Sequence, residues 1–172
     1  MNDWREPLWS STQWHNYWKD MAPVLQREQP RGAHIADLIT PDGCVIEVQH
    51  KSMSATEISG RELDHGNMVW NFDARHLYRS GRLAITGSLN GLVTFRWKNH
   101  RRTIRSCRRP IFLDLWTMKG TSERVVLKVG QLQRDGRGTA HVIPHHSMRL
   151  WISAGIPYRP LTDLPYYRGP LR

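Results

Sequence analysis

The stretch HIADLITPDGCVIEVQHKSMS, His34 to Ser54, decides how this chain folds, because two apolar runs flank a turn. Proline suits the first central position of a type I turn, aspartate the second, and glycine the left-handed residue that follows. Pro41-Asp42-Gly43 therefore predicts a three-residue hairpin loop centred on Asp42. Pairing outward from that centre sets Thr40 against Cys44, Ile39 against Val45 and Asp37 against Glu47. Directly opposed residues carry their Cβ atoms about 5 Å apart on one face of a sheet. Two carboxylates so placed repel each other unless a cation, a basic neighbour or water intervenes.

Alternation along the second strand sends Glu47, Gln49 and, if the strand persists, Lys51 to one face. Cys44, Ile46 and Val48 take the other, which suits packing under a helix. An acid facing an acid-x-glutamine step on the next strand fits shared coordination of a hard divalent ion such as Mg2+. The exposed polar face of an ordinary amphipathic hairpin fits the same alternation.

Upstream, SSTQWHNYWKDMA reads as a helix from about Ser11 to Met21, stopped by Pro23. It sets Trp14 and Trp18 on one face, with His15 and Lys19 on a stripe beside it. PVLQRE reads as an edge strand, which would make Glu28 an outer acid. Downstream, SATEISGRELDHG has a serine cap at Ser54, Glu57 three residues on and a glycine near its end, hence a helix. NMVWNFDA follows as a strand. The order helix, strand, strand, strand, helix, strand defines a mixed α/β class. Beyond Arg75 the runs RLAITG, LVTFRWK, IFLDLW and RVVLKVGQLQ read as strands separated by turns. PHHSMRLWISAG reads as a short helix, with Pro144 at its start and Gly155 past its end. This organisation gives one domain over 1–157, with a core at 11–75 and a β-rich basic extension at 76–157. A proline-rich surface tail covers 158–172.

Lysine and arginine number 25 against 15 acids in 172 residues, a formal charge of +10 and a pI near 10.3. That balance favours a polyanionic partner, nucleic acid before an anionic membrane. No apolar run reaches membrane-spanning length, the N-terminus lacks a signal-peptide layout, and two cysteines make no disulfide framework. The expectation is a cytoplasmic protein with reduced thiols. Arg96, Lys98, Arg101, Arg102, Arg105, Arg108 and Arg109 crowd one strand-turn-strand segment with Trp97 interleaved, a pattern for tracking phosphates. The spacings of Cys44, Cys107, His141, His145 and His146 match no zinc finger or ribbon.

His34, Ala36 and Asp37, then Ile46-Glu47-Val48-Gln49, Ser54 and Arg61, with MVWNFD after them and WHNYWK before, carry a family likeness. They resemble the nuclease domain of competence protein CoiA-like proteins, of the PD-(D/E)XK or restriction-endonuclease-like superfamily. The likeness covers about Gln13 to Asp73. It implies a restriction-endonuclease-like core, a central mixed sheet flanked by helices, that hydrolyses DNA phosphodiester bonds. Mg2+ or Mn2+ would be held by Asp37, Glu47 and the Val48 carbonyl, with Gln49 and His34 completing the catalytic set. Gln49 stands where many members have lysine, and it cannot contribute a positive charge. Lys51 stands where a serine is expected. His15, Lys19, Lys51 and Arg61 would contact the nucleic acid, Arg61 as a phosphate clamp. An ion pair with Glu57, one turn earlier, is the alternative role for Arg61. Members often pair to cut both strands, so a homodimer is compatible. A catalytically weak DNA-binding protein that retains the fold is the competing expectation. A structural partner in a nucleic-acid assembly, docked through the tail, is a third.

Overall fold

The computed structural model describes residues 9–89, 91–100, 102–119, 121, 123–162 and 164, with the side chains of 89, 102 and 103 excepted. The hairpin forms as its turn chemistry dictates: β2 (His34–Ile39) and β3 (Val45–Gln49) pair antiparallel with Leu38 against Ile46 and Ile39 against Val45. Gly43 takes φ 82°, its N–H donates to the Thr40 carbonyl at 2.8 Å, and the Thr40 N–H donates to Cys44 at 2.9 Å. β1 (Arg27–Arg31) adds antiparallel to the outer side of β2. It starts later than PVLQRE suggests, because Val24–Gln26 closes a 3-10 turn in which the Gln26 N–H donates to the Pro23 carbonyl.

Helix α1 (Ser11–Lys19) precedes this unit, and Ser10 and Gln13 cap it reciprocally. After the hairpin, Ser54 accepts the Glu57 N–H to start α2 (Ala55–His65), which Gly66 ends at φ 67°. α2 carries the chain across to β4 (Met68–Asp73), parallel to β3. β7 (Ile111–Thr117) extends the parallel region beside β4. β8 (Arg124–Leu132), β9 (Arg137–Pro144), β6 (Leu92–Trp97) and β5 (Leu83–Leu89) then continue antiparallel. The result is one nine-stranded mixed sheet in the order β1-β2-β3-β4-β7-β8-β9-β6-β5, an α/β architecture.

Alternation puts Ile46 and Val48 into a core with Trp14 and Trp18 of α1 and with Trp151 and Ile152 of α4 (His145–Ala154). Val45, Met68 and Trp70 face the other way, under Ile58 of α2. The hairpin is thus covered on both faces, which excludes the exposed polar face. A third core fills the β-rich half with Leu83, Phe95, Trp97, Leu113, Leu127 and Val142.

Two elements depart from the sequence expectations. Short α3 (Arg75–Arg79) has no side-chain cap. β9 has no counterpart among the strand runs read from the sequence, and Gly138 is required in it: a Cβ would stand 2.4 Å from the Phe95 ring. The tail expectation also changes. Tyr158 packs against Trp151 and Phe112, with ring centroids 5.0 and 5.5 Å apart, and the Leu161 N–H donates to Val142. Residues 163 and 165–172 of that stretch lie outside the described residues. Among the described residues, no helix is long and apolar enough to cross a membrane.

Candidate functional site

Backbone pairing of β2 with β3 reaches Leu38 and Ile46, and then the Asp37 side chain takes over. Its Oδ2 accepts the Val48 N–H at 2.8 Å, and Oδ1 lies 3.2 Å from Nε2 of His15 on α1. A strand residue presents its N–H and C=O to the same neighbour, so the Val48 carbonyl is directed at the same gap. Glu47, one residue back, is 0% exposed. Arg61 of α2 donates to its Oε2 at 2.9 Å, whereas the pair with Glu57 is looser at 3.7 Å. His65, one turn on, places Nε2 2.8 Å from Glu47 Oε1 but off the hydrogen-bonding direction, leaving both atoms without a directed partner.

Burial pushes the Glu47 carboxyl up to about 7, and the charge of Asp37 adds to the rise. Arg61 and a hydrogen bond from Gln49 oppose it. Burial, with the charges of Arg61 and His34, pushes His65 below the usual histidine range. Glu47 thus lies near enough to Asp37 to feel its charge and takes a hydrogen bond from Gln49, but the two acids have different partners: His15 of α1 for Asp37, Arg61 and His65 of α2 for Glu47. His34 stands one step back. Its Nδ1 contacts Asp64 at 2.7 Å and its ring lies 6.2 Å from that of His65. Lys19 is taken up by Glu28, whose carboxyl it holds below the usual range, and Lys51 is exposed past the end of β3.

Two carboxylates and one peptide carbonyl match the oxygen donors that Mg2+ or Mn2+ takes when it keeps several waters. The buried Glu47 Oε1 has no hydrogen-bond donor aimed at it, although His65 Nε2 stands 2.8 Å away. Among the described residues, no three His, Cys, Asp or Glu side chains converge as an all-protein cage. A cleft opens beside Gln49, lined also by Lys51, Asp73, Trp97 and Ile104.

The basic segment does not form one strip. β6 and β7 are not neighbours in the sheet, and a 3-10 turn at Arg102–Ser106 joins their ends. Trp97 is 3% exposed and belongs to the core, because alternation along β6 points it inward with Phe95 and Val93. Arg105 is committed to His100 and to the Arg134 carbonyl. Arg96, Lys98, Arg108 and Arg109 are exposed. The backbone N–H groups of Arg108 and Arg109 donate to the buried Glu62 of α2 at 2.8 and 3.0 Å. Arg101 and the Arg102 side chain lie outside the described residues.

Sequence reasoning missed His65 and His50. His65 follows Arg61 by four residues on one helix, a spacing that would have placed both on one face. His50 sits with its ring 6.2 Å from that of His15. No family model, curated protein or solved structure matches this chain.

Proposed function

We propose that this protein is a metal-dependent nuclease that hydrolyses DNA phosphodiester bonds on a restriction-endonuclease-like core. The observation that carries the reading is the fully buried Glu47, one oxygen of which has no directed hydrogen-bond donor, near Asp37 at the point where strand pairing stops. Asp37, Glu47 and the Val48 carbonyl would hold Mg2+ or Mn2+. Such an ion supplies Lewis-acid polarisation of a phosphoryl oxygen and makes a water more acidic. His15 holds Asp37 in place, and Gln49 orients a water or a phosphate oxygen without adding charge. Arg61 brings the positive charge that Gln49 lacks, from the opposite element. Exposed Arg96, Lys98, Arg108 and Arg109 add affinity for the backbone. Free Cys44 and Cys107 fit a reducing cytoplasm, and two copies would cut two strands.

A second reading, a DNA-binding protein with little or no activity, has its own support. Both Asp37 oxygens and Glu47 Oε2 already have protein partners. Cleavage of single-stranded, duplex and branched DNA with Mg2+ or Mn2+ separates the two, using wild type, Asp37→Ala and Glu47→Ala. The nuclease reading expects cutting by wild type alone. Equal cutting by all three removes the assigned site, and salt-sensitive binding with no cutting favours the second reading.

A further inference from the structure

Charge in this chain is split unevenly along its length. Residues 1–73 hold six lysines and arginines against eleven aspartates and glutamates, while 74–172 hold nineteen against four. One of those four, Asp114, is fully buried. The excess must therefore show on the outside of the β-rich half, and the sheet register says where. Val93, Phe95 and Trp97 of β6, with Ala140 and Val142 of β9, point into the core. The alternate positions point out: Leu92, Thr94 and Arg96 on β6, Arg137, Thr139 and His141 on β9, Thr86 on β5.

Arg96 lies directly across from Arg137. Like charges directly opposed weaken a sheet, so stability alone does not favour this pair. Asp135 offsets Arg137 at 2.7 Å, but among the described residues no carboxylate pairs with Arg96. Beside the arginines runs a row of hydroxyls: Thr86 donates to Thr94 at 3.0 Å, and Thr94 faces Thr139. The one ring among these outward side chains, His141, lies opposite Leu92 at the end away from the arginines, so the arginine end offers no aromatic ring on which an unpaired base could stack. Trp97, which follows Arg96 in the chain, lines the same cleft as Gln49. The arginines and the cleft thus share one end of β6 but lie on opposite faces of the sheet.

We propose that the outward face of β5, β6 and β9 is a docking surface for the phosphate backbone of duplex DNA, gripped by Arg96 and Arg137 with threonine hydroxyls between. The inference rests on the nucleic-acid part of the reading above and assigns it a path. Contacts of this kind position the duplex and carry little sequence information.

The test measures fluorescence anisotropy of labelled duplexes of unrelated sequence, in EDTA, across a KCl series. The Arg96→Ala/Arg137→Ala variant should lower the slope of log affinity against log salt by about two, as loss of two phosphate contacts requires. Arg149→Ala/Arg159→Ala removes the same charge elsewhere and should keep the wild-type slope. Arg96→Lys/Arg137→Lys should recover binding, which distinguishes charge from misfolding. An unchanged slope in the first variant, or an equal loss in the second, overturns the proposal. Cutting with Mg2+ is scored in parallel. A slope loss with no cutting by wild type sustains the surface and sinks the nuclease reading; cutting with an unchanged slope does the reverse.

Discussion

Asp37 Oδ2 takes the Val48 N–H at 2.8 Å in the place where the next backbone bond of the β2–β3 ladder would fall. One side chain therefore closes the hairpin and faces the gap next to Glu47. In the proposed nuclease, stability and chemistry are coupled at this residue, and substitutions separate them.

Asp37→Ala leaves the Val48 N–H buried, at a residue 1% exposed, without a partner. The loss should be about 1–3 kcal/mol by urea denaturation. Asp37→Asn keeps a carbonyl oxygen for that N–H and should lose less than about 1 kcal/mol. Both should abolish Mn2+ binding in calorimetry. An asparagine variant that still binds Mn2+ would detach Asp37 from the metal.

Glu47 gives stability a definite pH dependence. Its carboxyl rises from an ordinary 4.5 to about 7 in the folded protein. Between those values the folded state holds a proton that the unfolded state has lost, so stability falls as pH rises through the window. The full effect is about 3 kcal/mol. Glu47→Gln does not titrate and should gain that much on wild type from the acid end of the window to the alkaline end. Asp114, raised to about 6, acts in the same direction in both proteins and cancels. A stability difference that is flat with pH would show that Glu47 stays ionised.

The hairpin was legible because a turn and an alternation are local. Pro41-Asp42-Gly43 fixes the loop, and the loop fixes the register as far as Leu38 and Ile46, one pair short of Asp37 and Glu47. What covers Glu47 was not legible: Arg61 and His65 share a helical face by spacing, but the direction of that face depends on α2 returning over β3. Sheet order is also non-local. Arg96 and Arg108 are twelve residues apart, yet Arg96 lies on β6 and Arg108 leads into β7, strands separated by two others. A dense run of arginines in the sequence thus becomes two patches in the fold, and Trp97 between them turns inward.

Asp114 is a structural acid with three donors. Its Oδ2 accepts the indole N–H groups of Trp14 and Trp18 at 2.8 and 2.9 Å, and its Oδ1 accepts the Trp116 N–H at 2.8 Å. Asp114→Asn must turn an amide N–H2 towards at least one donor. The expected loss is about 2–4 kcal/mol in urea denaturation, although the substitution removes a buried charge. A neutral or stabilising result would mean that the charge weighs more than its hydrogen bonds.

Glu62 ties α2 to the approach of β7. Its Oε1 accepts the Trp70 indole N–H at 2.9 Å and the backbone N–H groups of Arg108 and Arg109. Glu62→Gln keeps one carbonyl oxygen at that point and should fold with modest loss. Glu62→Ala frees all three donors and should lose about 2–4 kcal/mol. Tryptophan fluorescence followed through urea denaturation compares the two. Equal losses would mean that charge, not the accepting oxygen, holds the loop.

The proposed chemistry places its cation on Arg61 because Gln49 has none. Arg61→Ala should then slow DNA cleavage about a hundredfold, the scale of losing one preorganised charge stabiliser. Gln49→Lys puts an ammonium on the strand beside Glu47, where it also lowers the carboxyl's pKa. If the two positions supply the same charge, Gln49→Lys should restore most of the rate lost in Arg61→Ala while changing wild type much less. The double-mutant cycle then gives a coupling well above the few tenths of a kcal/mol seen between independent sites. Strict additivity of the two substitutions would mean that Arg61 only neutralises Glu47, and that the positive charge reaches the phosphate from elsewhere.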